Sequence, residues 1–491
     1  MIYHCEDHTC NYWDEGEKLP ERCPQCCRKL LRANEADMTG DDWTALGNTL
    51  WDAEASDKKR MVDCFRKAAY LGSAWGVCNL GICMEQGNGV EADPVQAFWL
   101  YQQAVEMGSL NAVCCLGVCY EYGIGTAPDA KQAAELYCKA AEYGSPRGQM
   151  LLACAFHDGI GVEADAAEAV YWVRAAAYQR YGEGMHRLGV CYEYGDGVEQ
   201  NWEHAVHWFR EAAESGVSAA MTDLGYCYEK GCGVEQSWEQ AFSWYRRGAE
   251  CGNLQSMHNL ACCYEHGEGV EQNMTEAIRW YTAAAEGGNA DAMHELGWHY
   301  DHGEGVEQDM KKAICWYERA AEQNHPAAMN SLGECYAMGL GVPRDLETAM
   351  EWYRRAAELG EAMADYNMGW HLEQAGKLSE AYAHYRKAAD GNDDSAWWAL
   401  GRFYENGVVV AQDGKEARRC YETGEKLGSV KCKMRLARCK LLGIGGRRAK
   451  KAGLDLCRQA LELAKESSEK EDYGYEAEMN LLRRTIAENE S

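Results

Sequence analysis

The sequence has little proline, no long apolar run and no excess of positive charge. Seven prolines leave few interruptions for helices, whereas 51 glycines supply many turns. The chain has no run of about 18 apolar residues and no basic segment followed by an apolar one at its start, so we expect neither a membrane span nor a secretory signal. A formal net charge of −29 argues against general binding to nucleic acids or anionic membranes. A cytoplasmic location is therefore expected.

Cysteine, in contrast, is abundant, with 25 residues in 491. Many of these cysteines occupy one position of a recurring segment, namely Cys83, Cys119, Cys191, Cys227, Cys263, Cys335 and Cys439. A position shared at the repeat period places successive sulfurs on neighbouring helices about 8–10 Å apart. That separation is too long for a disulfide without backbone movement. These cysteines are therefore predicted to be buried free thiols that pack as small apolar side chains.

A unit of helix, Gly-x-Gly loop and helix recurs every 36 residues, and residues 188–216 show it clearly. The loop glycines are Gly87/Gly89, Gly123/Gly125, Gly159/Gly161, Gly195/Gly197, Gly231/Gly233, Gly267/Gly269, Gly303/Gly305 and Gly339/Gly341. A fixed period of this length is typical of stacked repeats. The sequence therefore predicts an all-α solenoid of helix pairs.

Each helix of a pair has its own apolar pattern. The first helix carries small-x3-Leu-Gly-x2-Tyr, as at Ala220, Leu224, Gly225 and Tyr228, which forms one buried stripe at 100° per residue. The second helix carries Ala-x2-Trp-(Tyr/Phe)-x2-Ala-Ala. Its tryptophans recur in register and are predicted to belong to the core: Trp172, Trp208, Trp244, Trp280, Trp316 and Trp352.

These motifs resemble the Sel-one-like repeat family, a relative of the tetratricopeptide repeats. The resemblance covers residues 42–466, or about twelve helix pairs. It implies a right-handed superhelical solenoid that acts as an adaptor in protein complexes, with the first helices lining the concave face. We therefore divide the chain into a small N-terminal module (1–34), the solenoid (35–466), and a C-terminal capping helix with a tail (467–491).

The N-terminal module contains two pairs of cysteines that face each other in sequence. Cys5 and Cys10 precede a short acidic and aromatic stretch, and Cys23 and Cys26 follow it. Four thiolates satisfy a tetrahedral Zn²⁺, and the second pair looks like a knuckle of a zinc ribbon or rubredoxin-like module. His8 is an alternative ligand. A closed site of this kind stabilises a fold and does not catalyse, so the predicted zinc is structural.

No phosphate loop, nucleophile elbow or dinucleotide fingerprint occurs, so we predict no catalytic residues. Histidines do gather on two adjacent first helices, at His258, His266, His294, His299 and His302. They are interpreted as surface polar pairs. The alternative is a small-ligand site or a metal-dependent enzyme site on the His258–His302 face.

An acidic residue recurs five positions after the leucine of the first helix, at Glu121, Glu193, Glu229, Glu265 and Asp301. We interpret this acidic ladder as a solvated face. Stacked like charges destabilise a fold, so the alternative is that a cationic partner segment lies against them.

Large aromatics interrupt the pattern at the positions two before and two after the leucine, which face away from the buried stripe. They are Tyr226, Trp298, Tyr366, Trp370 and Trp398. Exposed aromatics on the predicted concave face have no packing role unless something covers them. We therefore predict that these five residues bind a protein partner; packing between repeats or a curled-back C-terminus is the alternative.

Basic residues cluster near the C-terminal end: Lys431, Lys433, Arg435, Arg438, Lys440, Arg447, Arg448, Lys450 and Lys451. A solvated basic end is the expected role, and an acidic partner is possible. Together with the zinc module, this cluster suggests a zinc-dependent nucleic-acid adaptor as a second alternative. The function that the sequence favours is a non-enzymatic protein-interaction scaffold.

Overall fold

A computed structural model describes residues 2–5, 13–15, 30–32, 38–51, 55–470 and 476–490. The chain divides into two compact units, Met1–Ser256 and Met257–Ser491. The first begins with three short strands, β1 (Ile2–Cys5), β2 (Trp13–Glu15) and β3 (Leu30–Arg32). They form an antiparallel sheet in the order β2-β1-β3, with Tyr3 opposite both Asp14 and Arg32.

All other regular structure in the described residues is helical. The helices of the first unit are α1 (Gly40–Thr49), α2 (Ala55–Tyr70), α3 (Ala74–Gln86), α4 (Pro94–Glu106), α5 (Leu110–Tyr122), α6 (Ala130–Glu142), α7 (Pro146–Asp158), α8 (Ala166–Tyr178), α9 (Gly182–Tyr194), α10 (Trp202–Glu214), α11 (Ser218–Lys230) and α12 (Trp238–Glu250). Helix α13 (Leu254–His266) begins in the first unit and ends in the second.

The second unit continues in the same way. Its helices are α14 (Met274–Gly287), α15 (Ala290–His302), α16 (Met310–Glu322), α17 (Pro326–Met338), α18 (Leu346–Glu358), α19 (Ala362–Gln374), α20 (Leu378–Asp390), α21 (Asp394–Asn406), α22 (Gly414–Lys426), α23 (Val430–Leu442), α24 (Lys450–Lys470) and α25 (Glu476–Glu490). Odd-numbered helices up to α23 are the first helices of pairs, and the even-numbered ones the second. The all-α repeat architecture is therefore confirmed. No helix in the described ranges is both long and apolar enough to cross a bilayer.

The Gly-x-Gly loop ends the first helix of a pair and packs against the preceding pair. Gly159 caps α7 with a φ of 71°, a left-handed conformation that glycine adopts without a steric penalty. Gly161 has the same φ, and a Cβ atom there would collide with the carbonyl oxygen of Ala130 at the start of α6. Asp165 then accepts hydrogen bonds from the first amides of α8. The loop is thus a packing element between consecutive pairs.

The largest buried side chain of most repeats is a tyrosine of the second helix. Tyr245 is fully buried, and its ring occupies the space where a Cβ atom of Gly225 would lie. The glycine of the Leu-Gly-x2-Tyr motif therefore leaves room for an aromatic ring from the paired helix. The same residue is buried throughout the solenoid: Tyr101, Tyr137, Tyr245, Tyr281, Tyr317, Tyr353, Tyr385 and Tyr421.

The acidic ladder is not a solvated face, because its carboxylates accept hydrogen bonds from these tyrosines. Tyr137 donates its hydroxyl hydrogen to Glu121 over 2.6 Å. The other pairs, all 16 residues apart, are Tyr101–Glu85, Tyr245–Glu229, Tyr281–Glu265, Tyr317–Asp301 and Tyr421–Glu405. A buried hydroxyl requires an acceptor, and the acid at the end of the first helix supplies it. The interpretation of the ladder as a solvated face is therefore wrong for four of its five residues, namely Glu121, Glu229, Glu265 and Asp301.

The recurring tryptophans lie at the edge of this core. Trp244 is buried, whereas Trp172, Trp208, Trp280, Trp316 and Trp352 are only partly buried and pack against the core clusters. Arginines cover several of the indole faces from outside; the guanidinium of Arg319, for example, lies 4.3 Å from the centre of the Trp316 ring. The prediction that the tryptophans are core residues therefore holds only in part.

The seven cysteines of the shared position are all buried. Each lies on a first helix, three residues after the leucine of the motif. Cys191 and Cys227 both belong to the buried core of the first unit. Burial raises the pKa of Cys83 and Cys191 to about 11. Neutral thiols at these positions pack as small apolar groups, as predicted.

The last helix covers the apolar end of the second unit. Met479 and Leu482 of α25 pack with Met434 of α23 in one buried cluster. Arg435 forms two hydrogen bonds of 2.7 Å with the carboxylate of Glu478, which lies on α25. Part of the C-terminal basic cluster is thus used within the protein to hold this helix.

The tyrosine–acid hydrogen bond yields a testable prediction, because the pair of α9 and α10 has the acid but not the tyrosine. Phe209 holds the tyrosine position opposite Glu193, and burial raises the pKa of that carboxyl group. We expect Phe209→Tyr to increase the free energy of unfolding by about 0.5–1.5 kcal/mol by supplying the missing donor. The reverse change, Tyr245→Phe, is expected to lower it by about 1–2 kcal/mol. Urea unfolding followed by far-UV circular dichroism measures both, and equal effects of the two variants would contradict the assignment.

Candidate partner-binding surface

The predicted partner-binding aromatics lie on first helices, and the structure sorts them into two groups. Those two positions after the leucine are the more exposed. Trp370 on α19 is 43% exposed and meets only the edge of its neighbour His371. Trp298 on α15 is half-buried because its indole stacks on the His302 ring, with centroids 4.3 Å apart. In the first unit, Tyr226 on α11 occupies the same position and is also 43% exposed.

The aromatics two positions before the leucine are packed into the solenoid. Tyr366 lies against the buried Tyr385, with ring centroids 5.6 Å apart. Trp398 is half-buried between two cations, the guanidinium of Arg402 at 4.6 Å and the ammonium of Lys431 at 5.4 Å from its ring. The alternative of packing between repeats therefore describes these two residues, and Trp370 and Trp298 remain the accessible ones in the second unit.

A diagonal contact between successive first helices explains this difference. The residue two before the leucine in one repeat meets the residue one before the leucine in the next, 37 positions later. His294 Nε2 lies 3.5 Å from Ser331 Oγ, and Asn367 Nδ2 donates to Asn330 Oδ1 over 3.0 Å in this way. The helical wheel of one helix places the earlier position opposite the core, but the neighbouring helix covers it.

The histidines form a polar network with nearby acids. The rings of His294 and His325 stack at 5.1 Å, and His325 Nε2 lies 3.1 Å from Asp291 Oδ1. The hydrogen bond from His325 lowers the pKa of Asp291. His299 is fully buried, with Nε2 3.7 Å from Glu265 Oε2. Within the described residues no group of three His, Cys, Asp or Glu side chains is arranged to hold a metal ion, so this network does not favour the metal-dependent alternative.

The predicted zinc ligands fall outside the part of the chain whose side chains the structure describes. Cys10, Cys23, Cys26 and His8 lie in the undescribed ranges, and Cys5 is described only as the last backbone position of β1.

The pair of helices α19 and α20 departs from the repeat at three places, and the changes meet at one cleft. The position of Asp365 is methionine in the five preceding repeats, at Met185, Met221, Met257, Met293 and Met329. His384 stands where the second helices of the six preceding pairs carry tryptophan, and the loop between the helices is four residues shorter. The sequence shows these changes when the repeats are aligned with one another. It does not show that the side chains of Asp365 and His384 are paired.

Asp365 and His384 form a hydrogen-bonded pair beside this cleft. His384 Nδ1 lies 2.7 Å from Asp365 Oδ1, and Asp365 is only 9% exposed. The cleft has a volume of about 620 Å³, and its lining includes Met350 and Met368 together with Glu347 and Lys387. A tryptophan replaced by a smaller imidazole leaves this space open. The cleft can take an aliphatic side chain with a charged end, since apolar and charged groups share its wall.

The buried pair generates a second prediction. Asp365→Met combined with His384→Trp restores the repeat pattern and replaces an ionisable pair by apolar packing, which is expected to be neutral or to stabilise by about 1–4 kcal/mol. Each single substitution is expected to destabilise, because it leaves one buried polar partner alone. Denaturant unfolding measures this coupling. Installing the pair one repeat earlier, as Met329→Asp with Trp352→His, is the matched control and is expected to destabilise.

The segments that match a known family follow the same repeat along the chain. The model of the Sel1 repeat family matches ten segments: 76–109, 112–145, 146–181, 182–217, 218–253, 254–289, 290–325, 326–361, 362–393 and 396–429. The repeat pattern in the sequence predicted about twelve pairs. No curated protein sequence matches the chain.

Solved structures show the same architecture. The chain is 30% identical to c5321, described as a protective antigen present in uropathogenic Escherichia coli strains displaying an SLR fold; the match covers 87% of this chain and 94% of that one, with a TM-score of 0.60. A Sel1 repeat protein from Oxalobacter formigenes is 29% identical over 60% of this chain and 86% of its own, with a TM-score of 0.45. With ten matched repeats and a solved relative along most of its length, the chain belongs to the Sel1 repeat family.

Proposed function

We propose that this protein is a non-enzymatic scaffold that binds a protein partner in the cytoplasm. Solenoids of the Sel1 and tetratricopeptide type are typical protein-interaction scaffolds, because stacked repeats present an extended surface without requiring a catalytic centre. The exposed cysteines Cys154, Cys251 and Cys315 are free thiols, which agrees with a reducing compartment.

The observation that supports this proposal best is the exposure of Trp370, at the repeat position that Trp298 also occupies. Most other recurring aromatics of the second unit are buried, hydrogen-bonded or covered by an arginine. Trp370 is 43% exposed on a first helix, and among the described residues its one aromatic contact is with the edge of His371, so it is a suitable anchor for a bound chain. In this proposal Trp298 and Trp370 are the anchors, Tyr366 and Trp398 support the surface from within, and Tyr226 offers an equivalent contact on the first unit.

The partner segment is proposed to be basic. The whole chain carries a formal charge of −29, and complementary charge accelerates encounter and fixes orientation. Glu295 lies three residues before Trp298 on the same helix; burial works against its ionisation, but the hydrogen bond and charge of His294 lower its pKa. The surface beside the tryptophan therefore keeps a negative charge near neutral pH.

Several of the basic side chains that a nucleic-acid adaptor would use are engaged within the protein. Arg435 and Arg438 are engaged with Glu405, and Arg435 also with Glu478. Arg448 donates to Asn489 over 2.7 Å. Guanidinium groups that hold the C-terminal helix are not available for phosphates, so the described residues favour a protein partner.

The third prediction concerns the two anchors. In affinity capture with the full chain as bait, Trp298→Ala with Trp370→Ala is expected to reduce the recovered partner at least about tenfold, since a single buried aromatic anchor contributes about 2 kcal/mol or more. Quantitative mass spectrometry of the captured proteins provides the measurement.

Trp99→Ala is the matched control, because this tryptophan is 65% exposed but lies on the second helix α4. It is expected to leave capture unchanged. Circular dichroism and thermal unfolding must show that both variants remain folded. Undiminished capture by the folded double variant would reject this surface as the binding site.

We also propose that the N-terminal module binds one structural zinc ion through Cys5, Cys10, Cys23 and Cys26. The support is the spacing of the two cysteine pairs, together with the antiparallel pairing of β1 with both β2 and β3. In sequence, Cys10 falls in the β1–β2 connection, and the second pair falls in the β2–β3 connection. Three strands this short require a cross-link to form a stable module, and a zinc ion bound by four thiolates provides one.

The fourth prediction is one zinc ion per chain by elemental analysis of protein purified without added metal. Cys23→Ser with Cys26→Ser is expected to abolish it, because two of four ligands are lost. Cys154→Ser with Cys251→Ser, which alters two exposed cysteines of the solenoid, is the control and should retain the metal. His8→Ala against Cys10→Ala tests which residue completes the site. Zinc-free wild-type protein would exclude the module.

A further inference from the structure

Cys78 and Cys115 lie on the diagonal that joins successive first helices. Cys78 on α3 stands two positions before its leucine, and Cys115 on α5 stands one position before the next, 37 residues later. In the same unit this diagonal brings His186 Nε2 to 2.6 Å from Asp223 Oδ2. The two cysteines belong to one buried cluster, and the interaction between their thiols raises the pKa of Cys78 and lowers that of Cys115. The separation of 8–10 Å expected above holds for positions 36 apart and does not apply here.

A half-buried arginine completes this cluster. Arg147, near the start of α7, donates from Nη1 to Asn111 Oδ1 over 2.7 Å and to Cys115 Sγ over 3.5 Å. Asn111 in turn donates to Cys78 Sγ over 3.5 Å. Among the described residues no carboxylate forms an ion pair with Arg147, in contrast to Arg435. A guanidinium withdrawn from water requires a counter-charge, and the sulfur of Cys115 is the group placed to carry it.

The charges around the two sulfurs distinguish them. The hydrogen bond from Cys78 and then the positive charge of Arg147 overcome burial and lower the pKa of Cys115 to about 7. Glu85, which accepts a hydrogen bond from Tyr101, opposes this shift from α3. The other ionisable neighbours remain neutral thiols: burial raises the pKa of Cys114, next to Cys115 in the chain, and raises that of Cys119 to about 12. Cys115 also keeps 5% of its surface exposed, whereas Cys78 and Cys114 have none.

We propose that Cys78 and Cys115 are a redox-active dithiol that a peroxide converts into a disulfide linking α3 to α5. Arg147 holds Cys115 as the attacking thiolate, and Cys78 keeps its proton and serves as the resolving thiol. This modification site is independent of the partner-binding proposal.

The reaction balances with hydrogen peroxide as the oxidant. The Cys115 thiolate attacks one peroxide oxygen, an S–O bond forms, the O–O bond breaks, and hydroxide leaves to give a sulfenic acid. Cys78 loses its proton to that hydroxide, which becomes water, and its sulfur attacks Cys115. The S–S bond forms, the S–O bond breaks, and a second hydroxide leaves. Each sulfur gives up one electron and the peroxide gains two; a dithiol reductant reverses the change.

The test maps the bridge in the intact full-length chain. Reduced protein is treated with hydrogen peroxide, blocked with iodoacetamide and cleaved after glutamate, because no lysine or arginine separates the two cysteines whereas Glu85, Glu91 and Glu106 do. Mass spectrometry is expected to find a linked peptide containing Cys78 and Cys115, which disappears after reduction. Cys78→Ser is expected to abolish it, and the matched change Cys83→Ser, at another buried cysteine of α3, is expected to retain it.

A second measurement follows the thiolate directly. The rate of iodoacetamide labelling at Cys115 is expected to rise with a midpoint near pH 7, well below that of the adjacent Cys114. Arg147→Gln is expected to raise this midpoint by about one pH unit or more, and Arg147→Lys to restore part of the difference. A purely structural role for Arg147 would not shift the midpoint in folded protein.

Two results would overturn the proposal. One is peroxide-treated wild-type protein in which Cys78 and Cys115 remain unlinked. The other is a Cys115 that labels with the same pH dependence as Cys114. Both measurements use the wild-type chain, so they decide the matter even if a variant does not fold.

Discussion

The hydrogen bond between a buried tyrosine and an acid 16 residues earlier recurs in six of the described helix pairs and joins the two helices of each. It fixes three residues at once, since the ring requires a glycine beneath it, the hydroxyl requires a carboxylate, and both lie on the paired first helix. A buried hydroxyl without an acceptor costs about 1–3 kcal/mol, so the acid stabilises the buried tyrosine in these pairs. Because the bond lies within one pair, it can recur from pair to pair along the stack.

The sequence predicted the part of the fold that depends on local periodicity. Helix positions, loop glycines and the buried cysteine position all follow from a 36-residue repeat and the 100° step of a helix. The roles of the acidic ladder and the tryptophans did not follow, because they depend on which side chain of another helix lies opposite. Glu121 looks solvent-facing on its own helical wheel, yet it is the acceptor for Tyr137.

The candidate site was predictable to the same extent. The positions of Trp370 and Tyr226 after the leucine are exposed, as a single wheel indicates. Tyr366 and Trp398 precede the leucine and are packed, because the first helix of an adjacent pair lies diagonally against that position. The offset of 37 residues is the 36-residue repeat period plus one residue. Positions compared at intervals of 36 residues do not reveal this contact, so the thiol pair and the asparagine pair on this diagonal were not predicted.

The helix α25 has a consequence for how far the stack can extend. A repeat array ends in an apolar face that matches the start of another repeat, so an open end favours head-to-tail growth into fibres. Here that face is covered by α25, held by the two hydrogen bonds between Arg435 and Glu478 as well as by apolar packing. A second repeat stack would have to displace both the ion pair and the apolar contacts of α25 to reach this face. The helix therefore shields the apolar face from stacking against another molecule.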